Sequence, residues 1–298
     1  MFHFLLGKPL INYPIESMKK IGVEKIFVVV GYKKELFSSY LKDVEVVIQR
    51  RLLGTGDALL STEPYLRNFR GTIIVMSGDI PLVRKETLKN LIRKHKENKS
   101  FATILTAIME NPKGYGRILR NREGKVVRIC EETDLKERGL EKIKEINGGI
   151  YCFESPQFFY YLKKIKINPR KKEYYLTDII ELLSKNNKKI FTYSVVDSEE
   201  VLGVNTRKDL SKAEKILKMR VMDKLMQEGV TIVDPENTYI EEDVKVGKDT
   251  IIYPFTVIER DVSIGKNCRI GPFCRLREKT IIEDNVELGN FVELVRSR

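Results

Sequence analysis

Residues 252–276 read IYPFTVIERDVSIGKNCRIGPFCRL, and an aliphatic residue returns at every sixth position. The same period runs on in both directions, over ten positions without a miss: Ile240, Val246, Ile252, Ile258, Ile264, Ile270, Leu276, Ile282, Leu288 and Leu294. A helix repeats about every 3.6 residues and a strand every two, so neither produces this pattern. A three-sided parallel β-helix does, because each face takes six residues and turns one aliphatic side chain inward. At about 18 residues per coil, the stretch predicts about three coils.

The sequence before these hexads has a different organisation. Short Val- and Ile-rich runs alternate with amphipathic stretches, which predicts an α/β domain whose sheet is mostly parallel and covered on both faces. Predicted strands lie at 25–30, 44–49, 72–76, 101–108, 150–153 and 191–196, and predicted helices at 14–21, 34–41, 85–98, 155–163 and 177–186. A hairpin is predicted at 118–127 and a connector helix from about 207 to 228. We therefore expect an α/β domain at 1–206, a connector at 207–229 and a partial β-helix at 230–298.

Composition excludes several classes of protein. The chain has 298 residues, with 54 Lys and Arg against 42 Asp and Glu, a net charge of +12. The basic residues alternate with acids, which favours a solvated surface over a nucleic-acid site, so no nucleic-acid partner is expected. No run approaches the roughly 18 apolar residues of a membrane span. The four cysteines have no metal-site spacing and there are only two histidines, which favours a reduced, cytoplasmic protein.

Candidate ligand-binding residues follow the predicted strands, because ligands of parallel sheets lie beyond the carboxyl ends of the strands. Ser77, Gly78 and Asp79 follow one strand. An Asp there can hold a divalent metal against a phosphate, although it equally suits a turn that caps the next helix. Gln49 ends another strand and precedes LGTGDA at 53–58, whose backbone N–H groups suit a base or a phosphate.

Further polar motifs lie later in this domain. GYGRI occupies 114–118, and Glu131 and Asp134 follow the predicted hairpin. Asn147 opens NGGIY, where it either binds a hydroxyl or an amide or only makes the turn. EYYLTD at 173–178 leads into a helix, and Thr177 or Asp178 also fits the plain role of a cap for that helix. Asn205 fits the cap of the connector helix in the same way.

The order of these motifs resembles one family. Q-x4-GTGDA, SGDIPL, GYGRI, EETD, NGGIY, EYYLTDI and GVNTR, followed by the hexads with GPFCRLR and GNFVEL, resemble the bifunctional bacterial enzymes of UDP-N-acetylglucosamine synthesis. That family joins an N-acetylglucosamine-1-phosphate uridyltransferase domain to a glucosamine-1-phosphate N-acetyltransferase domain. The resemblance covers nearly the whole chain, and GTGDA, GYGRI, EYYLTDI and GNFVE together are specific to it.

The resemblance implies a fold, a reaction and partners. The fold is a Rossmann-like nucleotidyltransferase domain followed by a left-handed parallel β-helix. The reaction joins UTP and N-acetylglucosamine-1-phosphate to UDP-N-acetylglucosamine and pyrophosphate, with Mg²⁺ as cofactor, in the supply of peptidoglycan and lipopolysaccharide. The β-helix implies a homotrimer.

The resemblance also implies roles for individual residues. Gln49, Gly54 and Thr55 would contact the uracil and the ribose, and Ser77, Gly78 and Asp79 would lie along the nucleotide. Gly116, Glu131 and Asn147 would bind the N-acetylglucosamine moiety. Asp79 and Asn205 would be the protein ligands of the metal. Arg277 matches a substrate-binding arginine of the acetyltransferase.

The chain departs from the family pattern at both ends. The family begins with a strand and a glycine-rich loop whose Arg, with a later Lys, neutralises the triphosphate, whereas LGKPL at 6–10 matches the segment just after that Lys. We therefore expect the first strand, the phosphate loop and its catalytic cations to be absent, and assign no catalytic residue. At the other end, the acetyltransferase His and the acetyl-CoA coils would lie beyond Arg298. We expect weak or no uridyltransferase activity and a largely missing acetyltransferase half.

Two other functions stay open at this point. One is another sugar-1-phosphate nucleotidyltransferase, of glucose- or mannose-1-phosphate type, against which EYYLTDI and GNFVE argue. The other is a non-catalytic protein that binds nucleotide sugars or only oligomerises through its β-helix.

Overall fold

The computed structural model describes residues 3–31, 41, 43–135, 139–169 and 171–298. It divides into two compact units, Ile11–Gly203 on one side and Val204–Arg298 together with the segment up to Leu10 on the other. No helix in the described part of the chain is long and apolar enough to cross a membrane.

The unit Ile11–Gly203 contains alternating helices and strands. Its helices are α1 (Asn12–Lys20), α2 (Thr55–Leu60), α3 (Glu63–Leu66), α4 (Lys85–Glu97), α5 (Glu132–Leu135), α6 (Gln157–Leu162) and α7 (Asp178–Lys185). Its strands are β3 (Phe27–Val30), β4 (Glu45–Ile48), β5 (Gly71–Met76), β6 (Ala102–Ile108), β7 (Arg117–Arg120), β8 (Val126–Cys130), β9 (Glu145–Ser155) and β10 (Ile190–Ser194). The predicted elements are found within a few residues, except the helix at 34–41, which lies outside the described residues apart from Leu41.

The sheet of this unit is mixed, so the expectation of a mostly parallel sheet was wrong. Its strand order is β10-β6-β9-β7-β8, with β5 also paired to β9. The β10–β6 pair is parallel, whereas β9 runs antiparallel to β5, β6 and β7. The physical reason is β9, an 11-residue strand that passes between β5 and β6 and separates them. The parallel pair β3–β4 is assigned as a separate sheet.

Hydrophobic clusters cover both faces of the mixed sheet. One contains Phe153 and Phe158 from β9 and α6, with Ile179 and Leu183 of α7. The other contains Leu88 and Leu91 of α4. Residues 102–107 of β6 are all buried, as expected for a strand with helices on both faces.

The other unit contains the hexads and the long helix. The helix α8 (Arg207–Gln227) begins at a capping box formed by Thr206 and Asp209. Eleven two-residue strands follow: β11 (Thr231–Ile232), β12 (Tyr239–Ile240), β13 (Lys245–Val246), β14 (Ile251–Ile252), β15 (Val257–Ile258), β16 (Ser263–Ile264), β17 (Arg269–Ile270), β18 (Arg275–Leu276), β19 (Ile281–Ile282), β20 (Glu287–Leu288) and β21 (Glu293–Leu294).

These short strands form the predicted left-handed parallel β-helix. They make three parallel sheets, in which Val257 pairs with Arg275 and Ile258 with Leu276, 18 residues further on. Every predicted inward aliphatic is the second residue of a strand, and Ile240, Ile252 and Ile258 have no exposed surface. Cys268 and Cys274 are buried in the same core, as small core residues would be.

The corners of the β-helix impose a second six-residue period. Nine non-glycine residues there have φ between 55° and 67°: Asp243, Asp249, Phe255, Asp261, Asn267, Phe273, Lys279, Asn285 and Phe291. Asp and Asn tolerate this left-handed region best, and they fill five of the nine corners. The three phenylalanines lie one coil apart and stack with ring centroids 5.0 and 5.2 Å apart.

A short hairpin near the start of the chain packs in the β-helix unit. Strands β1 (Phe4–Leu5) and β2 (Lys8–Pro9) pair antiparallel. The ammonium of Lys8 lies 3.1 Å from the carboxylate of Glu242 and 2.8 Å from that of Asp243. The predicted domain limits at 206 and 229 stay predictions.

Candidate functional site

The segment Glu173–Asp178 docks on the glycine loop that follows Gln49. The Gly56 N–H donates to the Tyr174 carbonyl at 2.8 Å, and the Tyr174 N–H donates to the Leu53 carbonyl at 2.7 Å. The Leu176 N–H donates to Thr55 Oγ1 at 3.0 Å. Two backbone stretches more than 100 residues apart are thereby held side by side.

The segment lies close to both glycines of this loop, and most closely to Gly54. Gly54 has φ +95°, and a Cβ added there would lie 2.8 Å from the Tyr174 carbonyl oxygen. A Cβ at Gly56 would lie 3.1 Å from the same oxygen. Any side chain at Gly54 would push the segment away, and the positive φ disfavours one in addition.

Gln49 lies directly after β4 and is oriented by the same loop. Its amide donates to the Gly54 carbonyl at 3.1 Å and to the Asp57 carboxylate at 2.8 Å. Since both bonds use the amide nitrogen, Gln49 presents its carbonyl oxygen as an acceptor. The Thr55 hydroxyl accepts from Leu176 and can therefore donate its own proton. The predicted base-contacting residues thus lie together with a defined donor and acceptor pattern.

The other end of the segment holds Glu131, which follows β8. The Thr177 hydroxyl donates to the Glu131 carboxylate at 2.5 Å. Thr177 stands at the start of α7, but its side chain makes no cap bond there. Thr177 therefore occupies the N-cap position without capping the helix through its hydroxyl, which is committed to Glu131.

Glu131, Gly116 and Asn147 form the second cluster. The Asn147 N–H donates to the Gly116 carbonyl at 2.9 Å. A Cβ at Gly116 would lie 3.0 Å from Ile129 and 3.6 Å from the Glu131 carboxylate, so a side chain there would crowd Ile129. The Asn147 amide donates to the Tyr151 hydroxyl at 2.7 Å. The three residues predicted to bind the sugar are therefore brought together.

Acidic side chains surround Glu131 in this cluster. Burial raises the pKa of Glu131, and the neighbouring Asp178 and Asp134 raise it further, while the hydrogen bond from Thr177 lowers it. Burial also raises the pKa of Asp178, which Arg128 partly offsets. A carboxylate in such a place gains from hydrogen-bond donors, and sugar hydroxyls and amide N–H groups supply them.

The Ser77-Gly78-Asp79 loop lies beside the second cluster. It follows β5, and the Ser77 N–H donates to the Gly149 carbonyl at 3.3 Å, two residues beyond Asn147. The Ser77 hydroxyl donates to the Asp79 carboxylate, which is partly exposed. Carboxylate and hydroxyl oxygens are hard ligands of the kind that a divalent cation prefers. The described residues contain no group of three or more His, Cys, Asp and Glu side chains that could hold a metal.

The remaining predicted residues belong to the β-helix unit. Asn205 is exposed, and its N–H donates to the Asp209 carboxylate at 3.2 Å. Thr206, rather than Asn205, caps α8, so the expectation of Asn205 as a possible cap was wrong by one residue. Arg277 is exposed and lies 3.8 Å from Glu293. The roles of Asn205 as a metal ligand and of Arg277 as a substrate ligand stay predictions.

Sequence reasoning missed four contributors to these clusters. Asp57 orients Gln49, the Tyr174 backbone receives the glycine loop, Thr177 holds Glu131 and Tyr151 holds Asn147. All four stand inside motifs that the sequence singled out, so their types were visible although their partners were not. The Asn147–Tyr151 contact depends on an irregular strand, which residue periodicity does not reveal.

Comparison with family models gives two matches. The model "Nucleotidyl transferase" matches residues 1–199, and "Bacterial transferase hexapeptide (six repeats)" matches residues 261–296. The first region contains both clusters, and the second covers the later hexads, from Ile264 to Leu294.

Curated relatives and solved structures are also similar to this chain. "Bifunctional protein GlmU" of Acetivibrio thermocellus is 43% identical over 86% of this chain and 55% of its own length. The protein of the same name from Thermosipho africanus is 45% identical over 86% of this chain and 54% of its own. The chain thus spans about half the length of these relatives. A UDP-glucose pyrophosphorylase crystallised with UDP-glucose shares the fold, with TM-score 0.59 and 16% identity over 74% of this chain and 90% of its own.

Gly54→Ala tests the close approach of the segment. The added methyl group meets the Tyr174 carbonyl at 2.8 Å in a left-handed backbone, so we expect a loss of about 3 kcal/mol or more in the free energy of unfolding. Gly124→Ala is the matched control, because Gly124 also has a positive φ, +77°, but no atom within 4 Å of the added Cβ. Denaturant unfolding measures both variants, and equal losses would contradict the account.

Glu131→Gln tests the burial of the carboxylate. A raised native pKa means that the folded chain loses stability as pH rises through it, so the glutamine variant should be the more stable protein at pH 7. The difference should vanish below the ordinary pKa of 4.5, where both states hold the proton.

The free energy of unfolding as a function of pH measures this effect. Glu123→Gln serves as the control, since the hydrogen bond from Lys125 lowers the pKa of Glu123 and no gain at pH 7 is expected. A Glu131→Gln variant that is less stable than the unaltered chain at every pH would refute the assignment.

Proposed function

Because the chain belongs to the nucleotidyl transferase family, we propose that its Ile11–Gly203 unit serves a uridyltransferase reaction. The substrates are UTP and N-acetylglucosamine-1-phosphate, and the products are UDP-N-acetylglucosamine and pyrophosphate. The chain spans about half the length of its bifunctional relatives, so their uridyltransferase reaction is a proposal for this chain.

The observation that carries the proposal is the segment Glu173–Asp178. Its first half receives the glycine loop beside Gln49, and its second half holds Glu131 through Thr177. One short stretch thus connects the residues that suit a base with those that suit a sugar. A nucleotide sugar has these two groups at its two ends.

The donor and acceptor pattern supports uracil at the first cluster. Uracil carries a ring N–H between two carbonyl oxygens. The Gln49 carbonyl can accept from that N–H, and the exposed Thr55 hydroxyl can donate to a ribose or base oxygen.

The second cluster suits an N-acetylated amino sugar. The Glu131 carboxylate can accept from sugar hydroxyls or from the acetamido N–H, and the Asn147 amide can both donate and accept. The glycine at 116 leaves space above Glu131. Burial raises the pKa of Glu131, and hydrogen bonds from sugar hydroxyls or an amide N–H would offset that cost by favouring the ionised carboxylate.

The chemistry is an in-line displacement. An oxygen of the sugar phosphate attacks the α-phosphorus of UTP, and pyrophosphate leaves. Such a reaction needs positioning and charge neutralisation more than a proton carrier. Among the described residues, neither cluster is built from His or Cys, and the cluster residues serve to orient the two substrates.

A divalent cation, which we propose to be Mg²⁺, fits the Ser77–Asp79 loop. Asp79 offers a partly exposed carboxylate at the end of β5, and the neighbouring Ser77 hydroxyl holds it in place. When bound, the cation would neutralise the charge of the phosphates. Asn205 stays the predicted second protein ligand.

The β-helix supports a second set of proposals. We propose that the chain assembles into a homotrimer, which the hexapeptide repeats at 261–296 and the observed coils support. We also propose that Arg277 binds the sugar-phosphate substrate of an acetyltransferase reaction. Sedimentation of the purified chain tests the trimer directly.

Isothermal titration with UDP-N-acetylglucosamine and UDP-glucose tests the proposal. We expect the N-acetylated ligand to bind at least about tenfold more tightly, because the cluster is built to hydrogen-bond the acetamido group. Glu131→Ala should remove about tenfold or more of that affinity, whereas the exposed control Glu123→Ala should keep it. Equal affinity for UDP-glucose would favour a glucose-1-phosphate enzyme, and no binding of either ligand would contradict the proposal.

Metal removal tests the role of Asp79. UTP should bind the unaltered chain more tightly with Mg²⁺ than with EDTA, and Asp79→Asn should abolish that difference because it removes the charged ligand. The same titrations measure this, and a variant that keeps the full Mg²⁺ effect would exclude Asp79 as a ligand.

A further inference from the structure

Strand β9 contains two extra residues beside the second cluster. Asn147 pairs with Thr106 of β6, and Tyr151 pairs with Ile104. Four residue steps along β9 therefore face only two along β6. The irregularity falls between these two pairs.

This irregularity brings Asn147 and Tyr151 into contact. In a regular strand, residues four apart are about 13 Å from each other, too far for a hydrogen bond. Here the Asn147 amide donates to the Tyr151 hydroxyl oxygen at 2.7 Å. The contact is thus a product of the bulge and not of the residue spacing alone.

Two glycines make the bulge possible. A Cβ at Gly148 would lie 2.8 Å from the Leu105 carbonyl oxygen and 2.9 Å from Val201. Gly149 has φ +70°, a conformation that side chains disfavour. The NGG sequence at 147–149 therefore builds the bulge that delivers the Asn147 side chain to Tyr151.

The Asn147 amide is held at both of its ends. Its Oδ1 accepts from the Gly149 N–H at 3.2 Å while its nitrogen donates to Tyr151. A rotated amide would set its own N–H groups against the Gly149 N–H, so its orientation is fixed. One N–H and one lone pair are left for a ligand.

Tyr151 itself is a buried, neutral partner. Its side chain is 4% exposed and stacks on Phe153 with ring centroids 5.7 Å apart. Burial raises the pKa of its hydroxyl more than the hydrogen bond from Asn147 lowers it, and the nearby Glu131 raises it further, so the group stays protonated. A phenol in the core makes a rigid anchor for the amide, because water does not compete for it.

We propose that Tyr151 is a positioning residue for the sugar, acting through Asn147. The inference rests on the proposed function and adds a residue that does not itself touch the ligand. Without the hydroxyl, the Asn147 amide loses one of its two anchors and becomes free to turn. Recognition of the sugar then weakens, while recognition of the uridine diphosphate at the other end does not.

Tyr151→Phe tests this inference, because it removes only the hydroxyl. The matched control is Tyr161→Phe, a buried tyrosine of α6 that packs edge-on against Phe101. Thermal unfolding of both variants first shows that they are folded. Isothermal titration then compares UDP-N-acetylglucosamine with UDP, which lacks the sugar.

We expect Tyr151→Phe to weaken UDP-N-acetylglucosamine binding about threefold to tenfold, the effect of one hydrogen bond, with UDP binding unchanged. Tyr161→Phe should change neither affinity. Unchanged UDP-N-acetylglucosamine binding by Tyr151→Phe, or an equal loss for both ligands, would overturn the inference while leaving the proposed function standing. Failure of the unaltered chain to bind UDP-N-acetylglucosamine would overturn both.

Discussion

The contact between the Tyr174 backbone and the glycine loop is the constraint on which the candidate site depends. Leu53 and Gly56 hold Tyr174 by two backbone hydrogen bonds of 2.7 and 2.8 Å. The Tyr174 carbonyl comes so close to Gly54 that a side chain at position 54 has no room. Because this end of the segment is fixed, Thr177, three residues further on, reaches Glu131. The spacing between the base-side and the sugar-side residues is thereby set by one short stretch of chain.

The second cluster shows how buried polar groups are kept in defined positions. An unpaired buried carboxylate or amide is costly, so each of these groups has a neighbour that satisfies it. Thr177 serves Glu131, and Tyr151 with Gly149 serves Asn147. Each arrangement still leaves hydrogen-bonding capacity toward a ligand, which is what distinguishes such a site from an ordinary polar core contact.

The sequence alone predicted the β-helix best, because a six-residue period constrains every inward position from Ile240 to Leu294. It also predicted most helices and strands of the α/β unit, and the grouping of Gly116, Glu131 and Asn147. It did not predict the mixed sheet, since strand direction is set by the path of β9 and not by local pattern. The partners of Thr177 and Tyr151 were equally hidden, because they arise from a long-range contact and from two extra residues in one strand.

A crystal structure of the chain with UDP-N-acetylglucosamine tests the central claim most directly. The account predicts the uracil beside the Gln49 carbonyl and the sugar within hydrogen-bond distance of both Glu131 and Asn147, with the segment Glu173–Asp178 lying between the two ends of the ligand. A sugar bound away from Glu131 and Asn147, with the base still beside Gln49, would contradict it.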